Sequence, residues 1–289
     1  MAVSRYLSLV KFSHSIFALP FALQGAWMAS GGIPAYETLG WIVLCAVAAR
    51  TAAMAFNRLV DRHIDAANPR TSAREIPTGV VTVAGAVTLI VVSSGVFLLG
   101  AGMLNALCLK IAPVVLLVLF TYSYFKRFSA AAHFVLGLAL AIAPLGAWLA
   151  VRGSLDGEYA PVLYLALGVL TWVAGFDLIY ASQDADYDRR VGLHSIPSRI
   201  GVRAALVISI VLHVLAVACF AAQGWTGGLG WPFWVALAVA AALLVWEHSI
   251  VSPEDLSRVN VAFFTLNGWV GVGLFLGVAA DLAIRDTAF

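Results

Sequence analysis

Charge is what this chain most lacks. Only 11% of its 289 residues are Asp, Glu, Lys or Arg, against about 25% in a soluble domain. With 62% hydrophobic residues and a mean hydropathy of +0.95, that composition excludes an ordinary water-soluble globule. The strict polar/apolar alternation of outer-membrane strands is missing too, which argues against a β-barrel. The net charge of +2 is small and dispersed, so there is no basic face for nucleic acid. Cysteine is scarce: Cys45, Cys108 and Cys219 lie singly inside apolar runs and read as small buried hydrophobes, not as a disulfide framework or thiolate ligands. No small-residue cleavage site follows the first apolar stretch, which is therefore expected to be a retained span. These absences leave an all-α integral membrane protein.

The apolar runs are each about 20 residues long, the length a helix needs to cross a bilayer. Nine transmembrane helices are expected, at 13–30, 38–60, 80–99, 103–122, 130–150, 160–182, 202–221, 231–247 and 260–281, in a single domain over 1–289. Breakers separate them, among them Gly-Gly-Ile-Pro at 31–34 and Ser-Pro-Glu-Asp at 252–255. A cytoplasmic N-terminus places Arg5, Lys11, Arg58, Arg62, Arg70, Arg74, Lys126, Arg127, Arg189, Arg190, Arg199, Arg203 and Arg258 on one side, and only Arg152 and Arg285 on the other. That bias sets the orientation.

Against the apolar background, two acidic stretches stand out, both on the expected cytoplasmic side. Asn57, Asp61 and Asp65 recur every four residues at the end of the second span, a spacing that stacks them on one helix face. Asp177, Asp184 and Asp188 repeat the arrangement at the end of the sixth. Each stretch is followed by similar punctuation, Arg-Glu-Ile-Pro-Thr-Gly at 74–79 and His-Ser-Ile-Pro-Ser-Arg-Ile-Gly at 194–201. Four spans separate the copies, so two four-helix pseudo-repeats plus one helix are expected around a central cavity that opens near the cytoplasmic face. A bland alternative is that these acids merely solvate a loop and pair with Arg58, Arg62 and Arg189. Their recurrence at matched positions favours a shared site, since an Asp within a span costs about 2.5 to 3.5 kcal/mol on the insertion scale.

Carboxylates without convergent His or Cys favour a hard cation, and Mg²⁺ suits carboxylates combined with substrate phosphate. The basic residues Arg70, Arg74, Lys126, Arg127 and Arg199 share that side; they serve either as membrane anchors or as a binding set for diphosphate. Arg50 lies about two turns deeper on the second span, either in an ion pair, for instance with Asp177, or in contact with a second substrate. Aromatic residues near the acidic face, among them Tyr122 and Tyr180, are of the kind that stabilises a carbocation through the ring quadrupole.

These residues resemble those of the UbiA superfamily of intramembrane prenyltransferases. The resemblance runs over nearly the whole chain and is carried by Asn57, Asp61 and Asp65, by Asn-Pro-Arg-Thr at 68–71, by Tyr-Ser-Tyr-Phe-Lys-Arg at 122–127, and by the 177–188 stretch. It implies nine helices around a cavity and Mg²⁺-dependent transfer of a prenyl group from polyprenyl diphosphate to an acceptor. By the same resemblance, Asn57, Asp61 and Asp65 match the first Mg²⁺ and diphosphate motif, and Asp184 and Asp188 the second. Lys126 matches a lysine near the diphosphate, Arg127 an arginine for diphosphate or an acceptor carboxylate, and Asp177 and Tyr180 positions lining the cavity. Arg58 departs from the pattern, since many members have Asp directly after the Asn. The segments 11–21 and 50–58 resemble the 4-hydroxybenzoate polyprenyltransferase branch, including bacterial members that prenylate 1,4-dihydroxy-6-naphthoate on the futalosine route to menaquinone. That branch implies an aromatic acid acceptor, quinone biosynthesis and the bacterial cytoplasmic (inner) membrane. A cation-coupled transporter, which also uses paired carboxylates, is the rival reading.

Overall fold

The structure, a computed structural model, describes residues 2–10 and 17–286, and within them every regular element is helical. The helices are α1 (Ala2–Leu9), α2 (Leu19–Ser30), α3 (Tyr36–Val60), α4 (Arg62–Ala67), α5 (Val83–Leu104), α6 (Ala106–Phe125), α7 (Ala132–Arg152), α8 (Ala160–Ala181), α9 (Ala185–Val191), α10 (Ile196–Ile200), α11 (Val202–Thr226), α12 (Trp231–Ser249) and α13 (Asn267–Asp286). A π turn, Val261–Leu266, leads into α13. Eight helices among the described residues are long and apolar enough to cross a membrane, beginning with α3. The first expected span, 13–30, begins outside the described residues; α2 covers its second half.

Boundaries follow local chemistry. Asn105 ends α5 and starts α6: its side chain accepts the N–H of Cys108 at 2.8 Å and donates to the carbonyl of Leu149 at 3.1 Å, so one residue joins two spans and ties both to α7. Glycine allows two backbones to touch. A Cβ on Gly25 would lie 2.4 Å from the Pro144 carbonyl oxygen, and one on Gly137 would lie 2.4 Å from that of Leu170. Small residues thus bring α2 against α7, and α7 against α8.

The centre of the bundle is α8, packed between α7 and α11. Trp172, Phe176, Phe21, Phe220 and Phe233 are fully enclosed there. A polar chain runs through this apolar core. Trp172 Nε1–H donates to Asn267 Oδ1 at 2.6 Å, and Asn267 Nδ2–H donates to Glu247 Oε1 at 2.8 Å, so the acid buried among α8, α12 and α13 keeps a partner. Outward faces carry Val91, Leu117, Val214 and Val245, as contact with lipid tails demands.

Both acidic stretches sit at bends rather than on one continuous helix. Helix α3 stops at Val60, and Asp61, at φ −86° and ψ 1°, joins it to α4. Asp184, at φ −100° and ψ 2°, occupies the same bridge conformation between a 3₁₀ turn (Ser182–Asp184) and α9. The expected common face nevertheless survives at the first stretch. The Asp61 N–H still donates to the Asn57 carbonyl at 2.9 Å, and the Asp65 N–H to that of Asp61 at 2.8 Å.

Candidate active site

A polar cavity lies where α3, α4, α6, α7, α8 and α9 meet. Its wall includes Asn57, Asp61, Asp65, Arg70, Arg74, Tyr122, Lys126, Asp177, Tyr180, Asp184 and Asp188, which joins the two acidic stretches across more than a hundred residues of sequence.

Carboxylates gathered at one cavity repel one another, and basic side chains offset that repulsion. Asp61, 1% exposed, receives Lys126 Nζ at 2.5 Å and a guanidinium nitrogen of Arg127 at 3.3 Å. Asn57 Nδ2 reaches the same carboxylate at 3.2 Å. Asp65 Oδ1 receives Arg74 at 2.6 Å. Arg70 grips Asp184 with two nitrogens, Nε at 2.8 Å and a terminal nitrogen, while its third nitrogen donates to the Tyr180 hydroxyl at 2.9 Å. Burial works against the charge on Arg70, but the hydrogen bonds to Asp184 and Tyr180 hold its pKa above the ordinary arginine value.

Among the described residues, no three His, Cys, Asp or Glu side chains converge as a closed ligand shell. The acids instead form two half-sites, each held by its basic partners. The donor set still fits a hard cation: every acidic donor is an oxygen, and Asp65 Oδ2 is buried without a hydrogen bond.

Three expected residues stand elsewhere. Arg199 is exposed on α10, outside the cavity wall, because the Ser195–Ser198 capping box turns Pro197 and Ser198 inward and Arg199 to solvent. Arg127 touches the site only through Asp61, and also donates to the Val60 carbonyl at 2.9 Å. Arg50 makes no pair with Asp177. It lines a second, largely apolar cavity between α2, α3, α5, α6 and α7, and its Nε is buried without a partner. The partner of Asp177 is His133, with Nδ1 at 2.7 Å from Oδ2. Sequence reading missed His133; the signal available was a histidine in the first turn of an otherwise apolar span. The alternative pairings of the acids with Arg58 and Arg62 are not those observed. Arg189 does pair, with Asp186 at 3.0 Å.

The polar and apolar cavities share two wall residues, Tyr122 and Leu136. The two cavities are therefore immediate neighbours.

The model of the UbiA prenyltransferase family matches residues 18–269. The chain belongs to that family. The 4-hydroxybenzoate octaprenyltransferase of Klebsiella pneumoniae subsp. pneumoniae is 32% identical over 257 residues, 89% of this chain and 88% of that protein. A UbiA homologue from Aeropyrum pernix, solved without ligand, superposes with a TM-score of 0.84 at 33% identity, over 93% of this chain and 98% of that one. A UbiA homologue from Archaeoglobus fulgidus, bound to GPP and Mg²⁺, shares the fold at 18% identity, with a TM-score of 0.73 over 96% and 99% of the two chains. This UbiA-family chain is therefore a prenyl-transferring enzyme, and the transporter reading falls away.

Proposed function

We propose that this enzyme transfers a polyprenyl group from polyprenyl diphosphate to a ring carbon of an aromatic acid of the 4-hydroxybenzoate type, in quinone biosynthesis. The observation that carries this reading is a charged cavity lying beside an apolar one, with Tyr122 and Leu136 in the walls of both. The name of the Klebsiella relative supports the acceptor class.

Lys126, Arg70 and Arg74 bind the diphosphate and stabilise the charge that grows on it as the C–O bond breaks, while Arg127 acts behind them through Asp61. Asn57, Asp61, Asp65, Asp184 and Asp188 would hold Mg²⁺, which supplies further neutralisation of the leaving diphosphate. The apolar cavity takes the isoprenoid chain and keeps water from the allylic cation. Arg50, the isolated cation of that cavity, pairs with the acceptor's carboxylate, and the aromatic walls at Tyr122 and Tyr180 face the developing positive charge. Asp177 accepts the ring proton after carbon–carbon bond formation.

The finer topology belongs to the same reading. Helix α2 belongs to a ninth span, and the similar bends at Asp61 and Asp184 support an arrangement of two four-helix units. The basic residues orient the site toward the cytoplasm from the bacterial inner membrane.

The test is purified protein with labelled polyprenyl diphosphate, Mg²⁺ and a panel of aromatic acids that includes 4-hydroxybenzoate and 1,4-dihydroxy-6-naphthoate. A prenylated 4-hydroxybenzoate is expected. Product with the naphthoate alone corrects the acceptor, and no product with any acceptor overturns the reading.

A further inference from the structure

We propose that His133 is a positioning residue that presents one oxygen of Asp177 to the acceptor ring. The proposal rests on the transferase reading above and adds a residue that the motifs do not contain.

His133 is 3% exposed in the first turn of α7, and both of its ring nitrogens are engaged. Nε2 lies 3.3 Å from the backbone nitrogen of Ile196. A peptide N–H can only donate, so Nε2 is the ring's unprotonated nitrogen. The one ring proton of the neutral imidazole is then on Nδ1, and it donates to Asp177 Oδ2 at 2.7 Å. Ile196 thereby fixes the tautomer, and the tautomer fixes the carboxylate: Oδ2 is occupied as an acceptor, while Oδ1 takes no hydrogen bond from any described residue. Asp177 and His133 both line the polar cavity, and the Asp177 side chain is 21% exposed.

The peptide that sets the tautomer belongs to a strap bound to the rest of the site. The His194 N–H donates to the Lys126 carbonyl at 2.7 Å, and the Leu193 N–H to the Asp188 carbonyl at 2.9 Å. The Ser195–Ser198 capping box holds the next turn. Residues 193–198 therefore link His133 to the lysine that meets Asp61 and to the second acidic stretch.

In the reaction, the ring carbon that has bonded to the prenyl group loses its proton to Asp177 Oδ1. The C–H electron pair returns to the ring and restores aromaticity, and Asp177 becomes a neutral acid. The Nδ1 proton of His133 stays in place. Its task is to hold the plane of the carboxylate so that the free oxygen faces the ring carbon.

Two substitutions separate this role from simple packing. His133→Asn offers an amide N–H near the position of Nδ1 and loses the link to Ile196; His133→Gln reaches the position of Nε2, with an oxygen for the Ile196 N–H, and loses the donor to Asp177. The expected result is that H133N keeps kcat within about threefold, whereas H133Q and H133A lose about ten- to a hundredfold in kcat, with KM for polyprenyl diphosphate unchanged. In an Asp177→Asn background, His133→Ala should lower kcat no further, which a merely misfolded variant would not obey. Equal kcat values for H133N and H133Q, or a further loss in the double variant, overturn the proposal. A wild-type protein that prenylates nothing overturns the transferase reading instead.

Discussion

Arg70 and Asp184, 114 residues apart, are joined by two parallel nitrogen–oxygen contacts in the wall of the polar cavity. Arg70 follows the first acidic stretch and Asp184 belongs to the second, so this fork holds the two halves of the site together. A fork of this kind needs the planar guanidinium. Arg70→Lys keeps the charge and loses the second prong, and steady-state kinetics should show KM for polyprenyl diphosphate raised about tenfold. An unchanged KM would mean that Arg70 supplies charge alone.

If both acidic half-sites hold the metal, neither should suffice alone. Asp61→Asn and Asp188→Asn, made separately, should each lower turnover by about a hundredfold or more, and chelation of divalent metal with EDTA should abolish product. Near-normal turnover in either variant at saturating Mg²⁺ removes that residue from the metal-binding set.

The isolated cation of the apolar cavity should distinguish the two substrates. Arg50→Ala is expected to raise KM for the aromatic acid about tenfold while KM for polyprenyl diphosphate stays within about twofold. The reverse pattern would assign Arg50 to the diphosphate.

Close helix contact predicts a stability effect away from the chemistry. Gly137→Ala pushes a methyl group into the Leu170 carbonyl and should cost about 1–3 kcal/mol, seen as a lower melting temperature in detergent. Gly95→Ala, on α5 where a Cβ meets nothing within 4 Å, is the matched control and should leave the melting temperature unchanged or slightly raised.

The spans and the acids were legible in the sequence for one reason: lipid makes polarity expensive, so each exception to hydrophobicity carries information. Eight of the expected spans reappear with ends shifted by a few residues, because apolar length fixes a span's existence while capping groups such as Asn105 fix its ends. Other features depend on contacts between distant elements. The bends at Asp61 and Asp184 carry no proline or glycine to announce them. Arg199 shared its charge and its side of the membrane with Arg70, and only the direction of α10 turns it away. His133 could be noticed as an oddity, but its meaning requires Asp177 and Ile196, which arrive from 44 and 63 residues further along the chain. Arg58, the departure from the family pattern, is buried with its Nε unpartnered, and nothing in the structure explains its choice.

Tyr122 and Leu136 belong to both cavities, one rich in charge and the other in hydrocarbon. On the proposed reading, the bond that breaks lies at an internal shoreline between two solvents. The diphosphate would then return to water from its own side while the prenylated acceptor would be drawn the other way, and the difference in where the two products dissolve would help to keep the reaction from running backwards.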